Sequence, residues 1–311
     1  MTDPQRFHEQ QKTVMDGELF NPSRKAIHES WFKEDTVDYW RHKRMYEAIE
    51  PIAKFYKDAQ WVSIGDGRYG LDSYRLKKLF GINVLPTDIA NNMLERGKDL
   101  GLFDRYSVEN AESLSFNDNS FDIIFCKEAL HHMPRPLVAI YEMLRVCRKA
   151  LILIEPNDPL VFSSPKKLAK TLLSSILERR LFSRSKHSSS FFFSPPPPAF
   201  EPSGNYIYSL SKREMIKVVQ GLNMPGLAWK GINDYYIQGC EFEVASPTNL
   251  VYKKVLSEIK RQDRNCRQLP QFFDYGLIVM VLFKEEIIPT LKNMMLESEF
   301  EFPVIEKNPY S

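Results

Sequence analysis

The stretch WVSIGDGRYG, residues 61–70, decides the fold of this chain. It begins as a short apolar strand and continues into a Gly-x-Gly-x-x-Gly turn at Gly65, Gly67 and Gly70. Residues 71–80 then have the spacing of a helix. Glycine lets a backbone approach a nucleotide-type ligand closely, because a Cβ at these positions would block it. The pattern predicts the first strand, turn and helix of a nucleotide-binding α/β fold.

Strand and helix patterns alternate after this turn. A second apolar run, 82–85, is followed by Asp88, at the distance where a carboxylate binds a ribose diol in such folds. Further strands are predicted at 105–108, 121–127, 150–155, 227–232 and 276–284, and helices at 91–100, 134–146, 212–220 and 248–261. Ser211 and Glu214 form a capping box before one of these helices. The alternation predicts a parallel sheet wrapped by helices.

Electrostatics distinguishes the two cofactors that suit this turn. A dinucleotide would place its pyrophosphate against the turn and the helix N-terminus, where Asp66 and Asp72 would repel it and Arg68 would offset part of that repulsion. S-adenosylmethionine carries no phosphate, but it carries an ammonium and a sulfonium. The acidic turn therefore favours S-adenosylmethionine over NAD(P).

The middle of the chain carries three further motifs: AESLSF at 111–116, NSFD at 119–122 and ALHHM at 129–133. With these motifs the chain resembles the class I S-adenosylmethionine-dependent methyltransferases, over roughly 61–159 and more loosely over 206–284. The resemblance implies an α/β fold with a Rossmann-like, seven-stranded, mostly parallel sheet and flanking helices, in which the last two strands form an antiparallel pair. An N-terminal helical extension and an insertion after the fifth strand would complete it.

The resemblance also implies contacts to each part of the cofactor. Gly65, Asp66 and Gly67 would hold its amino-acid end, and Asp88 would bind the ribose. Ile89, Ala111 and Glu112 would contact the adenine, and Lys127 and Glu128 would flank the methionine moiety. Two positions depart from the family pattern, since Ser63 replaces an acidic residue and Tyr69 replaces a glycine. We therefore expect Asp66 or Asp72 to hold the methionine ammonium.

Candidate catalytic residues follow the fourth strand. Ligands bind at the carboxyl edge of open α/β sheets, and His131 and His132 are expected there. Either one could act as a general base if the acceptor must lose a proton, or the pair could cap the loop. Glu155, Asn157 and the loop 234–236 are candidate acceptor contacts on the same reasoning.

Composition excludes several classes. The chain has 311 residues and a net charge of +2, with 43% hydrophobic and 26% charged residues, which is typical of a globular protein. This charge gives no support for a nucleic-acid partner. The four cysteines are widely spaced and the adjacent histidines lack a metal-ligand pattern, so no metal site is expected. No membrane-spanning run or signal peptide is visible, and we expect a cytoplasmic location.

The chain divides into four predicted parts. Residues 1–58 form the N-terminal extension. Within it, residues 1–35 are expected to be polar and irregular, and residues 38–57 are expected to form one helix. Residues 59–159 form the cofactor-binding half. Residues 160–204 form an insertion and 205–311 complete the sheet. The insertion holds a basic amphipathic helix around 165–186, which would either pack on the domain or contact a membrane surface or anionic substrate. A low-complexity stretch, 187–204, follows.

The sequence thus predicts an S-adenosylmethionine-dependent methyltransferase acting on a small-molecule, saccharide or glycolipid acceptor, with O-methylation favoured. Three alternatives stay open: an NAD(P)-dependent oxidoreductase, a small-metabolite or lipid methyltransferase, and a non-catalytic cofactor-binding regulatory protein.

Overall fold

The computed structural model describes residues 4–158, 200 and 205–310, and a seven-stranded sheet lies at its centre. The strands are β1 Trp61–Ile64, β2 Val84–Asp88, β3 Ser107–Val108, β4 Phe121–Lys127, β5 Cys147–Pro156, β6 Gly226–Ile232 and β7 Leu277–Phe283. Their order is β3-β2-β1-β4-β5-β7-β6. All pairs are parallel except β5–β7 and β6–β7. The predicted fold class, including its antiparallel last pair, is confirmed.

Helices cover both faces of this sheet. They are α1 Pro4–Glu18, α2 Lys25–Ser30, α3 Val37–Ala48, α4 Glu50–Phe55, α5 Leu71–Phe80, α6 Asn92–Asp99, α7 Pro136–Val146, α8 Lys212–Gly221, α9 Leu250–Gln268 and α10 Pro289–Glu297. The predicted capping box is present at the start of α8, where Ser211 and Glu214 bond each other's backbone N–H groups.

Two predictions for the N-terminal region were wrong. Residues 1–35 do not lack regular structure, because α1 and α2 lie within them. The predicted helix 38–57 is two helices, and the break falls at Ile49. Pro51 lies in the first turn of α4, where its missing N–H is not needed, whereas inside a continuous helix it would remove a hydrogen bond.

Alternation along the central strands divides the core into two layers. In β4, Ile123 and Phe125 face the layer that contains α4 and α10, whereas Ile124 and Cys126 face the layer that contains α7 and α8. All four side chains are fully buried. Because both faces are covered, ligands reach the sheet only at its edges, and the carboxyl ends of β1, β2 and β4 open together at one edge.

The insertion predicted at 160–204, with its basic helix at 165–186, lies outside the described residues apart from residue 200. Over the described ranges, no helix is both long enough and apolar enough to cross a bilayer.

Candidate cofactor and active site

One cavity lies at the carboxyl ends of β1 to β4. All nine predicted cofactor residues line it, although they come from four separate segments of the chain. These segments follow consecutive strands of the parallel part of the sheet, so the topology brings them to one edge. The structure therefore assembles the predicted set, and the contact assigned to each member remains a prediction.

Close backbone approach explains the glycines of the turn. Gly65 has φ +78°, and a Cβ there would lie 2.4 Å from the Cβ of Ala129. A Cβ on Gly67 would lie 2.7 Å from Oδ2 of Asp88. The turn therefore sits directly against the predicted ribose carboxylate, and a side chain at Gly67 would displace that carboxylate.

Tyr69 shows how the chain tolerates its departure from the family pattern. Its φ is +60°, in the left-handed region that a bulky residue rarely adopts. The side chain is buried, its hydroxyl lies 3.2 Å from Nδ1 of His28, and its ring meets those of Trp31 and Phe32 edge-on. Packing by α2 and the residues after it thus holds a turn that glycine would adopt without help.

Asp66 stabilises the start of α5. Its carboxylate accepts hydrogen bonds from the backbone N–H of Asp72 (2.9 Å), the backbone N–H of Ser73 (2.9 Å) and the Ser73 hydroxyl (2.6 Å). Burial, followed by the negative charge of Asp72, raises the pKa of Asp66 to about 7 against these hydrogen bonds. The carboxylate is largely engaged in capping the helix, a role that the sequence analysis did not assign to it.

Asp88 is buried at the end of β2. Its Oδ1 accepts the backbone N–H of Ala90 at 2.8 Å. Burial raises the pKa of Asp88 to about 6; the Ala90 hydrogen bond opposes this shift and the charge of Asp16 adds to it. Ribose hydroxyls would favour the ionised form by donating hydrogen bonds to it.

Lys127 and Glu128 belong to a chain of charged groups on the cavity wall. The Lys127 ammonium lies 3.4 Å from Asp72 and 3.3 Å from Glu128, which in turn lies 3.3 Å from Nδ1 of His42. Burial works to raise the pKa of Glu128, but the charges of Lys127 and Arg68 outweigh it and lower that pKa. Burial, aided by Lys127, lowers the pKa of His42 well below its usual value, so His42 is neutral.

At the predicted adenine end, Glu112 is buried and paired. Its carboxylate accepts the backbone N–H and the Nε–H of Arg135, both at 2.6 Å, and lies 3.1 Å from Nε2 of His8. Glu112 therefore ties the loop before α7 to α1 beside the adenine position.

Helix α1 contributes a wall that sequence reasoning missed. His8, Gln11 and Met15 line the cavity from one face of α1. The Gln11 side chain donates to the backbone oxygen of His132 at 3.0 Å, and Asp16 accepts the backbone N–H of Asn92 at 2.9 Å. The spacing of the three lining residues is helical, but two of them are polar, so no apolar stripe marks the helix.

The structure distinguishes the two candidate catalytic histidines. His132 lines the cavity, and the described lining does not include His131. Nδ1 of His131 lies 2.6 Å from Oε2 of Glu155, and the two imidazole rings lie 3.9 Å apart. Glu155 is fully buried and also accepts the backbone N–H groups of Ala129 and Leu130. Glu155 thus fixes the loop that carries both histidines.

The other candidate acceptor contacts lie apart from the cavity. Asn157 donates to the backbone oxygen of Tyr275 at 2.8 Å, and Asp234 forms a bidentate pair with Arg41. Neither residue is part of the described lining, although Asp234 and Asp38 share Arg41, and Asp38 lines the cavity.

A group that the sequence did not predict brings Asp38, Cys240 and Glu241 within ligand distance of one another. Arg41 lies among them, with Nη1 2.9 Å from Asp38 and 3.8 Å from Sγ of Cys240. Burial raises the pKa of Cys240 to about 11, although Arg41 opposes the shift, so the thiol is protonated. The guanidinium supplies the positive charge that a metal would bring.

A family model described as a methyltransferase domain matches residues 62–154. This chain contains a class I S-adenosylmethionine-dependent methyltransferase domain. The matched residues include most of β1, the glycine turn, Asp88 and the two histidines, all of which lie at or beside the cavity described above. S-adenosylmethionine is the cofactor of this family, and the NAD(P) alternative loses its support.

Two curated relatives are similar to parts of the chain. A 2-methyl-6-phytyl-1,4-hydroquinone methyltransferase from Synechocystis is 36% identical over 27% of this chain and 28% of its own length. A ubiquinone biosynthesis O-methyltransferase from Colwellia psychrerythraea is 31% identical over 42% of this chain and 51% of its own length. The chain thus spans about half of the length of the second relative and less than a third of the length of the first. The similarity is confined to part of each protein.

A solved S-adenosylmethionine-dependent methyltransferase from Archaeoglobus fulgidus aligns over 78% of this chain and 94% of its own, with a TM-score of 0.45 and 12% identity. A similarity this weak carries no information about the acceptor.

Proposed function

We propose that the protein transfers the methyl group of S-adenosylmethionine to a hydroxyl oxygen of a small-molecule acceptor, with a saccharide or glycolipid favoured. The observation that carries this proposal is the single cavity lined by the nine cofactor residues and by His132. The residues fit the cofactor, because Gly67 leaves room against Asp88 and acidic groups line the end where the ammonium would lie.

When bound, the cofactor supplies an electrophilic methyl group. The protein's own part is to orient the acceptor, exclude water and accept a proton. We assign proton acceptance to the His132 imidazole because it faces the cavity. His131 is a positioning residue, since its ring packs against His132 and its Nδ1 is held by Glu155.

Phenolic and quinol acceptors form a second class, because the two relatives are named for hydroquinone and ubiquinone-pathway methylation. A phenol also loses a proton on O-methylation, so the same histidine would serve it. Contact of the predicted 165–186 helix with a membrane would suit a glycolipid or a prenylated acceptor, and we expect the protein to act in the cytoplasm.

Calorimetric titration with S-adenosylhomocysteine, with NADH in parallel, tests the cofactor. We expect micromolar binding of the first and none of the second. Absence of S-adenosylhomocysteine binding would favour the regulatory alternative and contradict the proposal.

Transfer of a labelled methyl group to nucleotide sugars, glycolipids and quinols then tests the activity. His132→Ala should lower turnover by about 10²–10⁴-fold and keep S-adenosylhomocysteine binding. His131→Ala is the matched variant. Because His131 is a positioning residue, its removal should lower turnover less than His132→Ala does and should shift the dependence of turnover on pH. Full turnover in His132→Ala would remove this residue as the base.

A further inference from the structure

Arg68 is a cation that lines the cavity and forms no ion pair with any described carboxylate. It lies within the glycine turn and its side chain lines the cavity. Over the residues that the structure describes, its guanidinium makes no hydrogen bond and no ion pair, and it lies over the indole of Trp31 with Cζ 5.0 Å from the ring centroid. Stacking on a ring face leaves the N–H groups of a guanidinium free in its own plane.

Trp31 is itself held in place. Its backbone oxygen accepts a hydrogen bond from Nη2 of Arg75 at 3.0 Å, and its ring stacks on His28 at 4.7 Å between centroids. The platform under Arg68 is therefore built by contacts between α5 and the end of α2. Such a platform orients the guanidinium without using its donors.

The neighbouring charges on the wall satisfy one another. Lys127 pairs with Asp72 and with Glu128, and Asp38 pairs with Arg41. The positive charge of Arg68 lowers the pKa of Glu128, so its guanidinium lies within electrostatic range of this end of the cavity. Among the described residues, the end nearest to Glu128 thus offers paired acidic groups for an ammonium together with the Arg68 guanidinium, which has no ion pair there.

The position of Arg68 in the chain indicates which part of a ligand it meets. It directly follows Gly67, whose α-carbon abuts the Asp88 carboxylate. Its side chain therefore begins beside the predicted ribose position and lines the same cavity as Lys127 and Glu128. In S-adenosylmethionine the methionine moiety, with its ammonium and carboxylate, continues from the ribose in this way.

We propose that Arg68 binds the α-carboxylate of S-adenosylmethionine and makes the protein selective for cofactor molecules that carry that group. This inference rests on the proposed function. A guanidinium matches a carboxylate with two parallel hydrogen bonds, which a lysine at this position would not reproduce. The turn then contacts the amino-acid end of the cofactor twice, through its glycine backbone and through Arg68.

Binding of S-adenosylmethionine and of decarboxylated S-adenosylmethionine tests the proposal. The second molecule keeps the ammonium and the sulfonium and lacks only the carboxylate. Both are titrated into the full chain and into Arg68→Gln, with Arg68→Lys as the conservative variant. The matched control is Arg264→Gln, which removes an exposed charge of α9 far along the chain from the turn.

We expect the wild-type protein to prefer S-adenosylmethionine by about tenfold, a modest ratio because Arg68 is exposed to solvent. Arg68→Gln should abolish that preference and leave the affinity for the decarboxylated molecule unchanged, which also shows that the variant is folded. Arg68→Lys should restore part of the preference, and Arg264→Gln should keep all of it.

Three results would overturn the assignment while leaving the proposed function intact. They are equal wild-type affinity for the two molecules, an undiminished preference in Arg68→Gln, and a parallel loss of both affinities in that variant. If the wild-type protein binds neither molecule, the proposed function itself fails.

Discussion

The glycine turn after β1 and helix α1 line the same cavity, but the chain encodes them differently. The turn is specified by its own residues. Gly65 adopts a positive φ, Gly67 leaves room for the Asp88 carboxylate, and Asp66 caps the start of α5. Helix α1 is joined to the site by contacts across great sequence distances, such as Gln11 to His132, 121 residues away. The comparison shows that one wall of a site can be locally coded while another depends on the whole fold.

The largest expected effect tests the locally coded wall. Gly65→Ala should lower the free energy of unfolding by about 3 kcal/mol, because it adds left-handed strain and a clash with Ala129. Gly101→Ala is the matched control, since Gly101 has φ +73° with open space around its Cβ position, and it should cost about 1 kcal/mol. Thermal or denaturant unfolding measures both. Equal losses would mean that the backbone angle alone, and not Ala129, requires glycine.

Removal of α1 tests the wall built by tertiary contacts. Deletion of residues 1–18 should weaken S-adenosylhomocysteine binding by about 30-fold, since the cofactor loses its contact with Met15 and the polar groups beside it. Circular dichroism should show that the sheet persists. Lys12→Ala, on the exposed face of α1, should leave binding unchanged. Unaltered affinity after the deletion would show that α1 is not part of the cofactor site.

Measuring the affinity for S-adenosylhomocysteine as a function of pH tests the role of Asp88, which lies against the glycine turn. Because its folded pKa is raised to about 6, the carboxylate loses its charge as the pH falls through 6. Affinity for S-adenosylhomocysteine should therefore drop by about tenfold between pH 7 and pH 5. By the same shift, this group favours the folded state increasingly as the pH falls from about 6 towards 4, because the folded protein then binds the proton more tightly than the unfolded chain.

Asp88→Asn should flatten this dependence of affinity on pH. A step near pH 6 that persists in Asp88→Asn would have to come from another group, such as Asp66, whose pKa is raised to about 7.

The smallest expected effect concerns the link between α1 and the loop that carries His131 and His132. Gln11→Ala removes the hydrogen bond to the backbone oxygen of His132 and should lower turnover by about threefold to tenfold, with less change in S-adenosylhomocysteine affinity. Steady-state kinetics and calorimetry separate the two quantities. A larger change in affinity than in turnover would place Gln11 against the cofactor and not against the loop.

The structure brings the nine predicted cofactor residues to one cavity, but many of the other contacts around that cavity were not predicted. Strand β4 and helix α5 were predicted with their observed bounds, because each lies directly beside a turn. Nothing in the sequence indicated that Glu155 would bind His131, because the two residues are 24 positions apart and meet only when β5 lies beside β4. Trp31, which directly follows α2, and His42 of α3 also line the cavity, and the sequence did not indicate either one.

By itself, the sequence determined the α/β class and the glycine turn, because periodicity, glycine and helix caps act over a few residues. Its resemblance to a family supplied the predicted set of residues at the strand ends. Only the tertiary structure decided which histidine faces the cavity, that α1 forms one of its walls, and that Arg68 lies over Trp31 without a hydrogen bond or ion pair to the described residues. These features depend on contacts between segments far apart in the chain, and such contacts form only when the sheet and its helices are packed together.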